Sequence, residues 1–192
     1  MQRKKILIIG VGGIGSRHLQ ALRAVKQPLE IIAIDISDAS LCVARERYEA
    51  SPQGAVSHTI EYRADIPRNG KVDVAIIATT SSVRASLTRE LLKKSEVRYL
   101  ILEKLLFQKK ADYGAIGRLL DEKKVKAWVN CPMRMIPFYR ELKKEFYGQK
   151  ITYILHGNQS GLVTDLIHHL DFIAFLTGSK SFLLRTELLD KK

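Results

Sequence analysis

The chain has 192 residues and a formal net charge of +12, with 46% hydrophobic and 27% charged residues. This composition is typical of a globular protein, and no run approaches the ~20 continuous apolar residues of a membrane helix. The N-terminal Met-Gln-Arg-Lys-Lys leads directly into an apolar run, so we expect no signal peptide. Cys42 and Cys131 lie far apart without metal-ligand spacing, so we expect no metal site and free thiols in a reducing cytoplasm.

The positive charge raises the question of nucleic-acid binding. The basic residues occur as scattered pairs, such as Lys93-Lys94 and Lys143-Lys144, mostly at the ends of predicted elements. Cations at these places favour helix C-termini and solvent. The sequence has no basic stripe interleaved with aromatic residues, the pattern of many nucleic-acid-binding faces. We therefore expect a solvated basic surface that attracts anionic small molecules such as dinucleotides, and neither a nucleic-acid nor a membrane partner.

A glycine-rich turn near the N-terminus is the first motif. The apolar run Ile6–Ile9 is typical of a strand buried on both faces of a parallel sheet. It leads into GVGGIG at residues 10–15, and a helical pattern follows at once. Strand, glycine turn and helix in this order form a dinucleotide-binding fingerprint, in which the pyrophosphate lies at the helix N-terminus. The residues predicted to contact the cofactor here are Gly10, Gly12, Gly13, Ile14 and Gly15.

Asp35 ends a second apolar strand, Glu30–Ile34. In the fingerprint, a carboxylate at this place accepts hydrogen bonds from the adenosine ribose hydroxyls. Because its charge would repel a 2′-phosphate, the sequence favours NAD, with NADP as the second possibility. The alternative interpretation is a glycine turn that binds no ligand.

Strands and helices continue to alternate as far as residue 130. Further strands are predicted near residues 56–62 and at 72–78, 98–102 and 126–130, and helices at 37–50, 83–94 and 110–123. This alternation predicts an α/β fold, a doubly wound parallel sheet spanning residues 1–130. Such sheets bind ligands at the carboxyl ends of their strands, where Thr79–Ser82, Lys104 and Asn130 are expected beside the glycine turn.

After residue 130 the pattern changes. We predict a helix ending near Tyr147, a strand at residues 151–156, a loop at 157–161, a helix at 163–176 and a further strand within 181–189. We interpret residues 131–192 as the start of an incomplete α+β domain. The last helix is apolar over most of its circumference and needs cover on more than one side. We therefore expect a homo-oligomer through this second domain, or poor solubility.

Four segments resemble the glucose-fructose oxidoreductase / inositol dehydrogenase / MocA (Gfo/Idh/MocA) family of NAD(P)-dependent sugar oxidoreductases. They are GVGGIGSRH at residues 10–18, LEK at 102–104, NCPMR at 130–134 and GLVTDLIHHLD at 161–171. The resemblance implies a Rossmann domain, followed by a second domain that ends early here. It implies catalytic roles for Lys104, Asp165 and His169, and cofactor contacts from Thr79, Thr80, Ser81, Glu103 and Lys104.

The implied catalytic residues fit the chemistry of alcohol oxidation. Asp165 and His169 are four residues apart and so share one helix face. Either His169 or Lys104 could be the base, with Asp165 holding a substrate hydroxyl or orienting the imidazole. His168 projects about 100° away and is expected to be structural. The alternative readings are an exposed lysine, and a helix cap at Asp165 beside a packed histidine.

Two positions depart from the family pattern. Leu105 stands where the family has a proline whose peptide bond is typically cis. A cis bond to leucine costs about 3–4 kcal/mol, so we expect Lys104 to be aimed differently. Arg84 stands where the family has a histidine, and we expect it to favour an acidic or phosphorylated substrate.

Together these features predict hydride transfer between nicotinamide and a hydroxyl or carbonyl of a sugar, sugar acid or nucleotide-sugar. A loose likeness to surface-polysaccharide relatives suggests a role in surface-glycan biosynthesis. The alternative is a truncated, non-catalytic NAD(P)-binding protein without a full substrate domain.

Overall fold

The computed structural model describes residues 3–68, 70–156, 162–183, 185 and 187. The chain divides into two compact units, Met1–Asn130 and Cys131–Lys192, called here the N-unit and the C-unit. In the described part of the chain, no helix has the length and apolar character needed to cross a bilayer.

The N-unit is built around one six-stranded sheet. Its elements are β1 (Lys4–Ile9), α1 (Gly13–Leu22), β2 (Leu29–Ile34), α2 (Asp38–Ala50), β3 (Thr59–Arg63), β4 (Gly70–Ile77), α3 (Ser81–Lys94), β5 (Ser95–Leu102), α4 (Lys110–Glu122) and β6 (Lys126–Val129). The strand order is β3-β2-β1-β4-β5-β6, and every neighbouring pair is parallel. The predicted doubly wound parallel sheet is confirmed.

Both faces of this sheet are covered, which explains the uninterrupted apolar runs. Along β1, Leu7 and Ile9 join one buried cluster with residues of α3 and α4. Ile6 and Ile8 point to the opposite face and join a second cluster with Leu19 of α1 and residues of α2. Because successive strand residues alternate between faces, a strand buried on both sides must be apolar at every position.

Element ends differ from the predictions where backbone pairing, not side-chain pattern, decides them. β5 begins at Ser95, three residues before the predicted start, because Ser95 and Glu96 pair with Gly70 and Lys71 of β4. β3 begins at Thr59, after the predicted start near residue 56.

The C-unit consists of helices and irregular chain in its described part. A short 3-10 helix (Pro132–Met135) is followed by α5 (Pro137–Phe146) and α6 (Leu162–Thr177). The predicted strand at residues 151–156 is wrong: these residues form no regular element, since no neighbouring strand is described in the unit to complete a ladder. The predicted loop at 157–161 lies outside the described residues. So does much of 184–192, and residues 181–183 are not a strand.

One side of α6 is packed within the C-unit. Phe172 and Leu176 are buried, and the Phe172 ring lies 4.6 Å from the ring of Tyr139 on α5. Another side, with Ile167, Leu170, Ile173 and Ala174, lines an open cavity of about 450 Å³ together with residues 179–182. The helix that was predicted to need cover on more than one side is thus packed on one side and only partly covered on the other.

Candidate functional site

Steric contacts require glycine at two positions of the glycine turn. Gly10 adopts φ +85°, and a Cβ there would lie 2.6 Å from Cγ2 of Thr79. A Cβ on Gly15 would lie 1.8 Å from the carbonyl oxygen of Gly10, because α1 begins directly against the turn. The turn and the first turn of α1 are therefore held in close contact, as the fingerprint predicts.

The opposite side of the same turn is open. A Cβ built on Gly12 or Gly13 would meet nothing within 4 Å. Gly12 is the N-cap of α1 and supplies no side-chain hydrogen bond to the helix, so N–H groups of the first helical turn remain available. This open cradle at a helix N-terminus fits a pyrophosphate group.

Asp35 lies at the carboxyl end of β2 and also holds the glycine turn in place. Its Oδ2 accepts a hydrogen bond from the Val11 N–H at 2.9 Å, and its Oδ1 accepts one from the Ser37 N–H at 3.0 Å. Each carboxylate oxygen can accept a second bond, which leaves capacity for ribose hydroxyls. Sequence reasoning assigned the ligand contact but missed the bond to Val11.

A cavity of about 390 Å³ adjoins Asp35 and Gly10. Its lining is mainly apolar and includes the polar residues Asp65, Ser86 and Glu90; the apolar lining side chains are Ile9, Ile34, Ile36, Ile66, Val83 and Leu87. A flat, weakly polar base such as adenine suits such a slot. The cradle, the carboxylate and the slot together fit the adenosine diphosphate half of NAD.

Backbone hydrogen bonds align the predicted residues along one edge of the sheet. The N–H groups of Gly10, Ala78, Glu103 and Asn130 each donate to the last carbonyl of the neighbouring strand, at 2.8–3.1 Å. Thr79, Thr80 and Ser81 follow at this edge and lead into α3, of which Thr80 is the N-cap. The N-unit thus brings the turn, Thr79–Ser81, Glu103 and Lys104 to the same edge.

Glu103 is the most enclosed carboxylate at this edge, with 5% of its surface exposed. Its Oε1 lies 2.7 Å from Nε2 of His18 and accepts a hydrogen bond from Nδ2 of Asn130 at 2.6 Å. Burial alone would raise the pKa of Glu103, but these bonds and the attraction of His18 and of the Lys104 N–H hold it below its usual value. Glu103 therefore joins α1, β5 and the end of β6 as a carboxylate.

Lys104 follows Glu103 directly and is half-buried. The Lys104–Leu105 peptide bond is cis, which differs from the sequence expectation for leucine.

Arg84 does not face a ligand, contrary to the sequence expectation. Its side chain is 2% exposed and donates hydrogen bonds to the carbonyls of Thr79, Leu105 and Leu106. Burial lowers the pKa of its guanidinium, and nearby Glu103 opposes that effect. Because the side chain is enclosed and committed to backbone carbonyls, Arg84 is not available to an anionic substrate.

The other predicted catalytic residues, Asp165 and His169, lie on α6 in the C-unit. They are on the helix face that continues into buried Phe172. Nδ1 of His169 lies 2.7 Å from the hydroxyl of Tyr153. Tyr153 was not predicted as a site residue, because its position in an expected strand carried no signal for this contact.

Arg134 forms an ion pair within the C-unit that sequence reasoning did not predict. Its guanidinium binds both carboxylate oxygens of Asp171, with Nε 2.7 Å from Oδ2. This ion pair raises the pKa of Arg134, against the smaller lowering effect of partial burial. It fastens the 3-10 helix to α6 within the C-unit. Among the described residues, no group of three or more His, Cys, Asp or Glu is arranged to hold a metal ion.

Comparisons with known proteins agree with this geometry. The Gfo/Idh/MocA family model, described as "Oxidoreductase family, NAD-binding Rossmann fold", matches residues 4–131. A comparison with curated protein sequences found no match.

Three solved structures illustrate the fold. The myo-inositol dehydrogenase from Lactobacillus casei, in complex with NAD(H) and myo-inositol, is 18% identical with a TM-score of 0.68, over 92% of this chain and 55% of that one. The WlbA dehydrogenase from Thermus thermophilus, in complex with NAD and UDP-GlcNAcA, is 19% identical with a TM-score of 0.64, over 90% and 62%. A super-repressor mutant of Gal80p from Saccharomyces cerevisiae is 16% identical with a TM-score of 0.61, over 93% and 53%.

The chain therefore spans 53–62% of the length of these three structures. At such identities the likeness concerns the fold, whereas the family model covers most of the chain. The chain belongs to the Gfo/Idh/MocA family of NAD-binding oxidoreductases.

Proposed function

We propose that this chain binds NAD and takes part in hydride transfer between nicotinamide and a hydroxyl or carbonyl of a sugar, sugar acid or nucleotide-sugar. The observation that carries the proposal is one sheet edge that presents an open glycine cradle, the Asp35 carboxylate and Lys104 anchored beside buried Glu103. A cofactor site and a protonatable side chain at one edge are what an alcohol dehydrogenase needs.

The roles of the chain's own residues follow from this arrangement. Nicotinamide, when bound, supplies the hydride acceptor. The N–H groups of the Gly12–Gly15 turn hold the pyrophosphate, and Asp35 accepts bonds from the ribose hydroxyls, which favours NAD over NADP. Oxidation of the carbinol also releases the hydroxyl proton, and we assign its removal to Lys104 or His169. Asp165 would hold a substrate hydroxyl or orient the imidazole.

The substrate class is supported by two of the solved relatives. One is described in complex with myo-inositol and the other with UDP-GlcNAcA, both rich in hydroxyl groups. We therefore favour a polyhydroxylated substrate, and we no longer expect Arg84 to select a charged one. The proposal also includes a cytoplasmic location, a reducing compartment in which free thiols such as those of Cys42 and Cys131 persist.

A second candidate function is NAD binding without catalysis. The same fold occurs in a Gal80p super-repressor mutant, so the fold alone does not imply turnover. In this case the cradle and Asp35 would serve binding, while Lys104 and His169 would be dispensable.

A binding titration followed by a turnover assay separates these functions. NADH fluorescence should change on binding, and a panel of sugars, inositols and nucleotide-sugars should then reveal NAD reduction. Lys104→Ala and His169→Ala should each lower kcat by about 10²–10⁴-fold while NADH affinity stays near that of wild type.

His168→Ala is the matched comparison on the same helix. We expect it to retain more activity than His169→Ala, and the reverse ranking would move the acid–base role to His168. NADH binding with no turnover on any panel member would favour the non-catalytic candidate. Absence of NADH binding would overturn both.

A further inference from the structure

Arg84 is a buried cation with an unusual set of partners. Its Nη1 donates to the carbonyl of Leu105 and to that of Leu106 at 3.0 Å, and its Nη2 donates to the carbonyl of Thr79. Its Nε is buried without a hydrogen-bond partner among the described residues. Burying a guanidinium costs desolvation free energy, which its hydrogen bonds to the three carbonyls offset in part.

The three carbonyls belong to two segments that carry the proposed site. Thr79 lies between β4 and Thr80, the N-cap of α3, and it packs closely against the glycine turn at Gly10. Leu105 and Leu106 follow Lys104 without a break in the chain. The planar fork of one guanidinium therefore ties the cofactor edge to the segment of the proposed catalytic lysine.

Lys104 is thus held from both sides. On its N-terminal side, Glu103 is fixed by His18 and Asn130. On its C-terminal side, the next two carbonyls are fixed by Arg84. A backbone restrained on both flanks limits the positions that the intervening side chain can reach.

We propose that Arg84 is a positioning residue that sets Lys104 relative to Thr79 at the cofactor edge, and so relative to bound cofactor. The proposal rests on the proposed function for the role of Lys104, but its structural content, the restraint of residues 104–106, does not. Arginine suits this place because it can reach several carbonyls at fixed angles, which a lysine ammonium cannot.

The test compares Arg84→Met and Arg84→Lys with Arg89→Met. Arg89 lies on the same helix, but its side chain is 44% exposed and pairs with Asp112. Two readouts need no catalytic activity. One is hydrogen exchange of the peptide spanning residues 103–109, and the other is the rate at which trinitrobenzenesulfonate modifies Lys104, with and without NADH.

We expect Arg84→Met to speed exchange in residues 103–109 by about 5- to 150-fold, because two carbonyls of this segment, those of Leu105 and Leu106, lose their donor. Strands β1 and β2 should exchange as in wild type. The modification rate of Lys104 should rise, and its protection by NADH should weaken. Arg84→Lys should fall between wild type and Arg84→Met, and Arg89→Met should match wild type.

Kinetics give a further readout on any sugar that the wild-type chain oxidises. There Arg84→Met should lower kcat about 100-fold, as expected for a displaced catalytic group, with the Kd for NADH nearly unchanged. If the wild type oxidises nothing, exchange and labelling still decide the proposal, so its failure is distinct from that of the proposed function.

Two results would overturn the proposal: exchange and labelling at 103–109 that match wild type, or equal acceleration in every segment, which would indicate a general stabilising role. Should Arg84→Met fail to fold, Arg84→Lys alone is decisive. Selective acceleration at 103–109 in that variant supports the proposal, and a wild-type pattern refutes it.

Discussion

At the scale of single residues, two buried charges anchor the cofactor edge of the N-unit. Glu103 and Arg84 are both almost fully enclosed, and each serves as an anchor for backbone or side chains at the cofactor edge. Each is buried with its hydrogen-bond partners, which offsets the desolvation that isolated charges would suffer. Moving the segments joined by Glu103 or Arg84 would break these bonds and leave a buried charge without partners, which raises the free energy of such a movement.

The depressed pKa of Glu103 links stability to pH. A carboxyl whose pKa is lower in the folded chain than its usual 4.5 stabilises the fold above that value and loses this contribution as pH falls. We expect Glu103→Gln to reduce the free energy of unfolding at pH 7 by about 1–3 kcal/mol. The difference from wild type should shrink as the pH is lowered below 4.5.

Urea unfolding at a series of pH values measures this difference. Glu46→Gln, at an exposed position on α2, is the matched control and should follow the wild-type curve. A Glu103→Gln deficit that persists unchanged at the lowest pH would mean that its charge does not stabilise the fold.

Asp35 orders the glycine turn and is also proposed to hold the ribose, and its substitution separates these two roles. Asp35→Ala removes the proposed ribose contact and also the acceptor of the Val11 and Ser37 N–H groups. We expect NAD affinity to fall about 10- to 100-fold, as for hydrogen bonds to a charged group. NADP should lose much less, because a repulsion of its 2′-phosphate disappears at the same time.

Any loosening of the glycine turn affects both cofactors, so the ratio of the two affinities isolates the ribose contact. Asp38→Ala, at an exposed neighbouring position, should leave that ratio unchanged. Equal losses for NAD and NADP in Asp35→Ala would show that the carboxylate only orders the turn.

At the scale of elements, Gly15 and Gly12 have different roles in the turn that joins β1 to α1. Gly15→Ala would place a methyl group 1.8 Å from the Gly10 carbonyl, whereas Gly12→Ala would meet open space. We expect Gly15→Ala to lower the free energy of unfolding by about 1–3 kcal/mol or more. Gly12→Ala should cost less than about 1 kcal/mol but strongly weaken NADH binding.

Thermal unfolding and NADH titration of the two variants provide the measurement. We predict that Gly15 is needed for packing of the turn against α1, whereas Gly12 is needed for ligand binding. If Gly12→Ala bound NADH as wild type does, the open side of the turn would not be where the pyrophosphate lies.

Some elements and contacts of the N-unit could be predicted from the sequence and others could not. β1, β2 and β4 were predictable because burial on both faces requires continuous apolar runs, and the glycine turn because sterics permit few residues there. The environment of Arg84 was not, because nothing local distinguishes an arginine that reaches back to carbonyls from one that faces solvent. The bond between Asp35 and Val11 and the pairing of His18 with Glu103 join distant residues, so neither leaves a periodic signal.

At the scale of the whole molecule, the two units differed in predictability for a physical reason. In the N-unit every strand has a neighbour, so the local preference and the tertiary pairing agree. Residues 151–156 have the β-branched and aromatic content of a strand but no described partner in the C-unit, and β structure depends on pairing. The wrong prediction there followed from treating a preference as a structure.

The final prediction concerns self-association of the C-unit, which we propose as the route to a homo-oligomer. Phe182, Leu183 and Ile154 are 72%, 81% and 82% exposed, and Phe182 borders the apolar cavity beside α6. Exposed apolar side chains beside an open apolar cavity are typical of interaction surfaces, and a second copy of the chain would remove them from water.

Light scattering should show a dimer or larger species, and Phe182→Asp with Leu183→Asp should shift it toward monomer. Those charges should leave the buried Phe172 packing intact, because both residues follow α6 in the chain and Phe182 borders the cavity, not the Phe172 side of the helix. Val43→Asp, at an exposed apolar position on α2, controls for a general effect of added charge and should not change the assembly. A wild-type chain that stays monomeric at high concentration would mean that this surface is not a self-association surface.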